Sequence, residues 1–516
     1  MTAITKSNYS PSNNPKMRPR SLKGADWFGI LCWSVLLGCS VWLWIRLLHL
    51  HILAGGMIAV IGVVLLLLNG AHSYIQMPFR NGVRSKIICG AVSLVISAAM
   101  IYAVSATASV QSMLVNISGK VGQSETSYVF VLREDPARDM GDTTGYRFGV
   151  LEHTDEENTA AVLGAVKKGL GDFSQQSYPN ALELVQALYD HEADAIILNE
   201  GYLSILQRQE AFADFSKRTR PIYQFTHQTE MQEILPNTAI TREPFVVYCS
   251  GSDARSADIN AYGLSDVNII AVINPVTHQI LLINTPRDYY MPLVSAPYIG
   301  KYDKLTHVGG LGIQESMKTL GAFYGVDIPY FVRINFTGLI EIVNSLGGID
   351  VDSPFTFDAL GIGVMDNGDR TNYHFNKGPN HLDGYAALAY CRERHAFADG
   401  DNQRGKNQME VIQSIVKKAS SSAVLTKYDA LLRSIEGMAK TNMPYEDIAS
   451  LIRLQISTGA NWNVTSYAVQ GTNASGPCAI SGYSKLYIMK PDETSVEKAR
   501  ELIRTVLSGE VPSLAE

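Results

Sequence analysis

Hydrophobic and polar positions follow two different regimes along the chain. Runs 27–45, 52–68 and 87–110 contain no Asp, Glu, Lys or Arg. Each approaches or exceeds the roughly 17 to 25 residues that a helix needs to cross a bilayer. The pattern therefore predicts three membrane helices within residues 25–110. Beyond them the apolar runs become short. Residues 128–132, 147–151 and 193–198 predict strands, while 159–170, 181–189 and 202–215 repeat apolar residues at helical steps. Together they make a small α/β accessory domain over residues 120–240, entered through a Ser- and Gly-rich connector (118–127) and left through a Pro-containing linker (235–244).

From residue 245 to 516 the pattern predicts a larger domain. Residues 245–249, 267–273, 279–283 and 330–334 read as strands, and their near-continuous apolar character implies cover on both faces. Asn274-Pro-Val-Thr277 marks a hairpin between two of them. Helical stretches follow at 313–324 and 337–345, the second stopped by Gly347-Gly348. Residues 409–418, 430–438 and 445–454 predict a helix-rich C-terminal part. The expected fold class is α/β, a mixed sheet wrapped by helices.

The net charge of −6 averages two unlike regions. Lys6, Lys16, Arg18, Arg20 and Lys23 precede the first acid, Asp26, and Arg80, Arg84 and Lys86 fill the second connection, whereas the first connection has only Arg46. The positive-inside rule then puts the arm 1–24 in the cytoplasm and everything after Val110 outside the cell. A cleaved secretory signal fits neither three spans nor so long a polar arm. The arm itself reads as disordered. Cys32, Cys39 and Cys89 lie in apolar runs, while Cys249, Cys391 and Cys478 show no metal-ligand spacing and leave a disulfide open. Cys391 reads as a packing residue, with no paired histidine to make it a nucleophile.

Candidate chemistry concentrates between Tyr390 and Gln408, where Arg392, Arg394, Arg404 and Lys406 lie close together. Guanidinium forks match phosphate oxygens, and Arg392 and Arg394 project to one side if the backbone is extended. The bland alternative is a solvated loop neutralised by Glu393, Asp399 and Asp401. Three strand ends supply further groups: Asp253 follows the first strand, Asp266 opens the second, and Arg287-Asp288 closes the third. Antiparallel pairing of the second and third would bring Asp266 and Arg287 to the same end of the sheet. Two carboxylates facing arginines fit a magnesium ion completed by phosphate oxygens. Singly, Asp266 can merely start a strand and Asp253 fold an Asx-turn. The run Asp155-Glu156-Glu157 reads as the charged first turn of a helix.

Ser252-Asp253, Ser265-Asp266-Val267, Thr285-Pro-Arg287-Asp288, Lys304-Leu-Thr-His307, Gly347-Gly-Ile-Asp350, Leu382-Asp-Gly384 and Arg392-Glu-Arg394 through Asp401, Arg404 and Gln408 stand in an order that resembles the LytR-CpsA-Psr family. The likeness covers about residues 245–420, and the three spans with an accessory domain resemble its CpsA branch, found in streptococcal capsule and exopolysaccharide loci. It implies a membrane-anchored, Mg2+-dependent phosphotransferase that moves a capsular glycan from a polyprenyl-pyrophosphate carrier onto peptidoglycan. By the same resemblance Asp253 and Asp266 are the metal-side acids. Arg287, Arg392, Arg394, Arg404 and Gln408 form the pyrophosphate-binding set, supported by Asp401, and Arg287, Asp288 and Asp401 take the catalytic roles; Lys318, within the 313–324 helix, either joins that set or is an ordinary exposed lysine. Expected partners are the lipid-linked glycan, the peptidoglycan acceptor, the bilayer and the capsule-synthesis machinery. The acceptor of the hydroxyl proton stays open, with Asp288 and Asp266 placed for it. Apolar residues in 267–273, 280–283, 330–334 and 339–343 can line a lipid tunnel or form a plain core. Two rivals remain: a membrane-bound regulator of capsule synthesis or transcription, and a pyrophosphatase using water. The regulator would need DNA contact by basic segments that read better as topology signals, so no nucleic-acid partner is expected. The pyrophosphatase would use the same residues.

Overall fold

The computed structural model describes residues 22–77, 82–118, 122–152, 156–207, 212–230, 234–252, 264–360, 372–420 and 437–513. Its contacts separate the chain into two compact units, Met1–Ala108 and Ser109–Glu516.

The helices Gly24–Leu50 and Gly55–Gln76 of the first unit, and Val83–Ile117, most of which belongs to it, are each long and apolar enough to cross a membrane. The first and third extend the expected runs at both ends, and the second begins three residues into its run and extends past its end, because helices continue into flanking residues whose backbone they still satisfy. Polar side chains are turned inward and bonded: Asn69 Nδ2 donates to Ser40 Oγ at 2.9 Å, and Lys86 pairs with Asp26. Such bonds tie helices together where lipid offers no hydrogen-bonding alternative.

The second unit begins with the accessory domain. Its five strands lie in the spatial order Ser174–Tyr178, Arg147–Leu151, Ala195–Asn199, Gly122–Leu132 and Thr219–Glu230. Two of these strands, the first and the last, carry too much polar sequence to be read as strands. Ser174–Tyr178 exposes four of its five residues, so no apolar alternation marks it. The helix expected over 202–215 is Glu200–Gln207, followed beyond an undescribed stretch by the short helix Phe215–Arg218. Tyr202, Ile205 and Phe212 share one apolar cluster with Leu264, Leu293, Val308 and Ile480 of the main domain. Gly201 makes the approach possible, since a Cβ there would lie 2.2 Å from the Gly310 carbonyl oxygen.

The main sheet has six strands in the order Ala439–Thr441, Tyr330–Asn335, Phe245–Ser252, Ser265–Asn274, Gln279–Asn284 and Asn463–Ala468. The hairpin expected at Asn274 is present, pairing Ile270 with Ile283 in antiparallel register. Phe245–Ser252 runs parallel to Tyr330–Asn335 and antiparallel to Ser265–Asn274. Ser252, Ser265, Asn284 and Asn335 therefore all come to one end of the sheet. Both faces are covered. Tyr248, Ile270, Leu281 and Ile283 pack with Leu320, Val496 and Ile503, while Val247, Ile269 and Leu282 pack with Met409 and Met443. Apolar residues offered above as tunnel lining in 267–273, 280–283 and 330–331 are thus members of these two cores, whereas Leu339, Ile342 and Val343 join a third cluster with Leu346 and Tyr390, and Val332 is exposed.

The helix expected over 409–418 is longer, Asp401–Ala419. Arg404 and Lys406 consequently sit on its first turns and not in a loop. The expected helix 430–438 lies mostly outside the described residues, and Ala439–Thr441 is a strand. The C-terminal part is less helical than expected: Asn463–Ala468, Gly471–Cys478 and Tyr483–Pro491 are strands, followed by the helix Glu493–Leu507.

Candidate active site

The end of the sheet defined above gathers a charged group. Asp266 opens its strand, and beneath it Tyr248, Ser250, Ser265 and Asn268 form a buried network, with the Tyr248 hydroxyl donating to Asn268 Oδ1 at 2.6 Å and lying 3.1 Å from Ser265 Oγ. Arg287 follows the neighbouring strand and its Nη1 meets Asp266 Oδ1 at 3.0 Å. Its Nε lies 3.4 Å from Asp288 Oδ2, and the other Asp288 oxygen accepts from Lys304 Nζ at 3.1 Å. Lys304 arrives because Tyr302–Lys304 pairs antiparallel with Tyr290–Pro292, the strand that follows Asp288.

The helix Asp401–Ala419 brings the remaining members. Its start lies against the Asn284 strand end through Gly405, where a Cβ would fall 2.1 Å from Asn284 Nδ2. Arg404 Nη2 lies 2.8 Å from Asp401 Oδ1 and donates to Oδ2 at 3.0 Å. Arg404 is buried and Asp401 partly buried, and Arg404 Nε makes no hydrogen bond among the described residues. Gln408 Nε2 donates to the Cys391 carbonyl at 3.2 Å, tying this helix to the helix Gly384–Arg392. Asp383 caps that helix by accepting from Ala386 N at 2.8 Å. Just beyond, Glu393 Oε1 accepts from the backbone N–H groups of Arg394, His395 and Ala396, which shapes the turn that presents Arg394.

Burial decides the electrostatics of one half of the group, and neighbouring charge the other. It pushes the Asp401 carboxyl above the usual carboxylate range, with Arg404 and Arg287 only partly opposing. It likewise pulls Arg404 below its ordinary value despite Asp401. The ion pair is therefore not self-sufficient. Burial acts to raise Asp288 as well, but Lys304 and Arg287 overcome it and hold that carboxyl below its usual range. For Arg287, burial is outweighed by Asp266, Asp288 and Asp401, which strengthen its hold on the proton. The Arg394 charge is felt at both Asp401 and Arg404, so it faces the same group. A partly buried cluster of guanidinium groups with unpaired N–H capacity is suited to a polyanion.

Residues 202–502 match the LytR_cpsA_psr family, more than half of the chain. The chain belongs to the LytR-CpsA-Psr family. Over 239 residues it is 32% identical to the polyisoprenyl-teichoic acid–peptidoglycan teichoic acid transferase TagU of Enterococcus faecalis, spanning 46% of this chain and 73% of that protein. With TagU of Bacillus subtilis (strain 168) it shares 30% identity over 259 residues, 49% of this chain and 75% of the relative. The crystal structure of B. subtilis TagV covers 52% of this chain and 99% of its own, at 25% identity and a TM-score of 0.42.

Against the LytR-CpsA-Psr expectations, the structure brings Asp266, Arg287, Asp288, Arg394, Asp401 and Arg404 together, with Gln408 behind them. Asp253 lies outside the described residues. Arg392 departs from the expected extended pair: it ends a helix, and its guanidinium carbon sits 4.4 Å from the centre of the Phe336 ring. That ring follows Asn335, so Arg392 still stands at the same sheet end. Lys318 is placed apart, exposed and bonded to Glu315 Oε1 at 2.8 Å on its own helix. Cys391 is buried and its thiol is pushed up to about 12, in keeping with a packing role. Sequence reasoning assigned no role to Lys304, although it stands inside the quoted Lys304-Leu-Thr-His307 motif. It also missed Tyr487, whose hydroxyl feels Asp288, Asp401, Arg287 and Arg394. No signal marked Tyr487, because its strand was read as part of a helical region.

Proposed function

We propose that this protein is a membrane-anchored transferase that moves a glycopolymer from a polyprenyl-diphosphate carrier onto peptidoglycan, with its second unit outside the cell. One observation carries the reading: Arg404 Nε, a buried cationic N–H, has no acceptor among the described residues, in a group where Arg287 and Arg394 converge. Leaving such a donor unsatisfied costs roughly 1–3 kcal/mol, and a diphosphate oxygen would satisfy it. The relatives named as teichoic acid transferases support the peptidoglycan acceptor, and leave the glycan itself, capsular or teichoic, as the finer question.

In this reading Arg404, Arg287 and Arg394 grip the diphosphate, while Asp288 and Lys304 hold Arg287 in place. An acceptor hydroxyl attacks phosphorus, its new P–O bond forming as the bond to the polyprenyl phosphate oxygen breaks. Fixed guanidinium groups match the charge that builds on the leaving phosphate. For the hydroxyl proton, Asp401 is better suited than Asp288 or Asp266. Its carboxyl is raised by burial above the usual carboxylate range, whereas Asp288 is held by two cations and Asp266 is paired with Arg287. The Asp266 carboxylate supplies hard oxygen donors that fit a magnesium ion, and an ion held there would neutralise diphosphate charge. Supplying the full-length protein with labelled lipid-linked glycan, with and without peptidoglycan, tests the reading. Polymer-linked label that needs peptidoglycan supports it. Label released equally with water alone would make the protein a pyrophosphatase.

A further inference from the structure

Beside the charged group lies a groove that the reaction above does not use. Two cavities of about 470 and 410 Å³ share Tyr290, which pairs directly with Lys304, and Tyr302, its diagonal neighbour on the same strand pair. The two rings stand 5.2 Å apart, tilted by 33°, and Tyr302 is 46% exposed. The Tyr290 hydroxyl donates to the Pro477 carbonyl at 2.7 Å, which holds its ring in place. Lys490 and Glu493 rim the first cavity and Lys301 the second. Arg500 also lines the first, clamped on the Phe323 carbonyl at 2.6 Å.

We infer that this groove binds a glycan strand of the peptidoglycan acceptor, an inference that rests on the function proposed above. Flat aromatic faces offer apolar contact to the C–H faces of pyranose rings, and charged groups at the edge bond hydroxyls and carboxylates. A lipid tail would call for an enclosed apolar channel, which a rim of Lys301, Lys490, Glu493 and Arg500 does not make. The donor is already held by its diphosphate. The acceptor has no such anchor, yet one of its hydroxyls must reach Asp401 in a set register, and a strand gripped next to the Asp288–Lys304 pair gains that register. Arg500 is paired with Glu497 at 3.3 Å, and the remaining Lys301 and Lys490 against Glu493 leave a positive rim that suits a strand bearing carboxylate-containing peptides.

The test uses the full-length protein in detergent with soluble, uncrosslinked peptidoglycan strands that keep their peptides. Tyr302→Ala and Lys490→Glu should each weaken strand binding, and raise the acceptor KM, by about tenfold or more. The kcat at saturating acceptor and the KM for the lipid-linked donor should stay unchanged, and Tyr302→Phe should bind as wild type does. Unchanged strand binding in both variants, or no strand binding by the wild type, would overturn the inference. A rise in donor KM instead would assign the groove to the donor glycan and overturn it too. Strand binding that depends on Tyr302 in a protein without transferase turnover would strike the proposed function alone.

Discussion

Gly405→Ala is the substitution that most directly probes how the helix Asp401–Ala419 is placed. The added methyl would lie 2.1 Å from Asn284 Nδ2, and Asn284 is itself 3% exposed. Restoring ordinary contact requires the helix start and the Asn284 strand end to part by roughly 1 Å. Overpacking of this kind costs about 1–3 kcal/mol. Because Arg404 precedes Gly405, the same shift displaces its guanidinium from the diphosphate site, where a misplacement of about 1 Å lowers rate by roughly a hundredfold. Transfer of labelled glycan by the purified full-length protein, measured beside Tm, should show turnover falling far more than stability. Adding Asn284→Ala makes room for the methyl and should recover much of the turnover. Wild-type turnover in Gly405→Ala, or no recovery in the double variant, would refute the argument that this contact positions Arg404.

Three other outcomes follow from the same geometry. Arg404→Lys keeps a charge on Asp401 but loses the planar fork and its free Nε, so transfer should fall by roughly 10²–10³ while the protein stays folded; activity within a few-fold of wild type would count against the clamp. Asp288 is held below its usual range by Lys304 and Arg287, so its stabilising contribution is complete above that range and is lost as pH falls through the depressed value. The Tm deficit of Asp288→Asn should therefore be largest near neutral pH and shrink below about pH 4, and a deficit that grows in acid would contradict the assignment. Lys318→Ala removes only an exposed pair with Glu315, worth at most about 1 kcal/mol, and should leave transfer within about twofold.

The sequence carried the parts of the site that depend on strand alternation and a single hairpin. Asn274-Pro-Val-Thr277 was enough to place Asp266 beside Arg287, because antiparallel pairing leaves no other arrangement of those strand ends. The three apolar spans were legible by length alone. Other features depend on contacts between distant segments. Asp401 to Gln408 has no apolar period, so the first turns of its helix, which Gly405 brings against Asn284, could not be read. Arg392 belongs to a helix whose end carries it to Phe336, which an extended reading could not foresee. Lys304 reaches Asp288 only through paired strands of three residues each, too short to announce themselves. Lys318 shows the converse: charge on a predicted helix says nothing about which way that helix faces.

The central claim is that buried guanidinium groups at this sheet end recognise a diphosphate. Its most direct measurement is the affinity of the full-length protein for a short polyprenyl diphosphate, compared among wild type, Arg287→Ala and Arg404→Lys at fixed salt. The account predicts saturable binding by wild type, with each substitution weakening it by at least about tenfold. Equal affinity across the three proteins would contradict it.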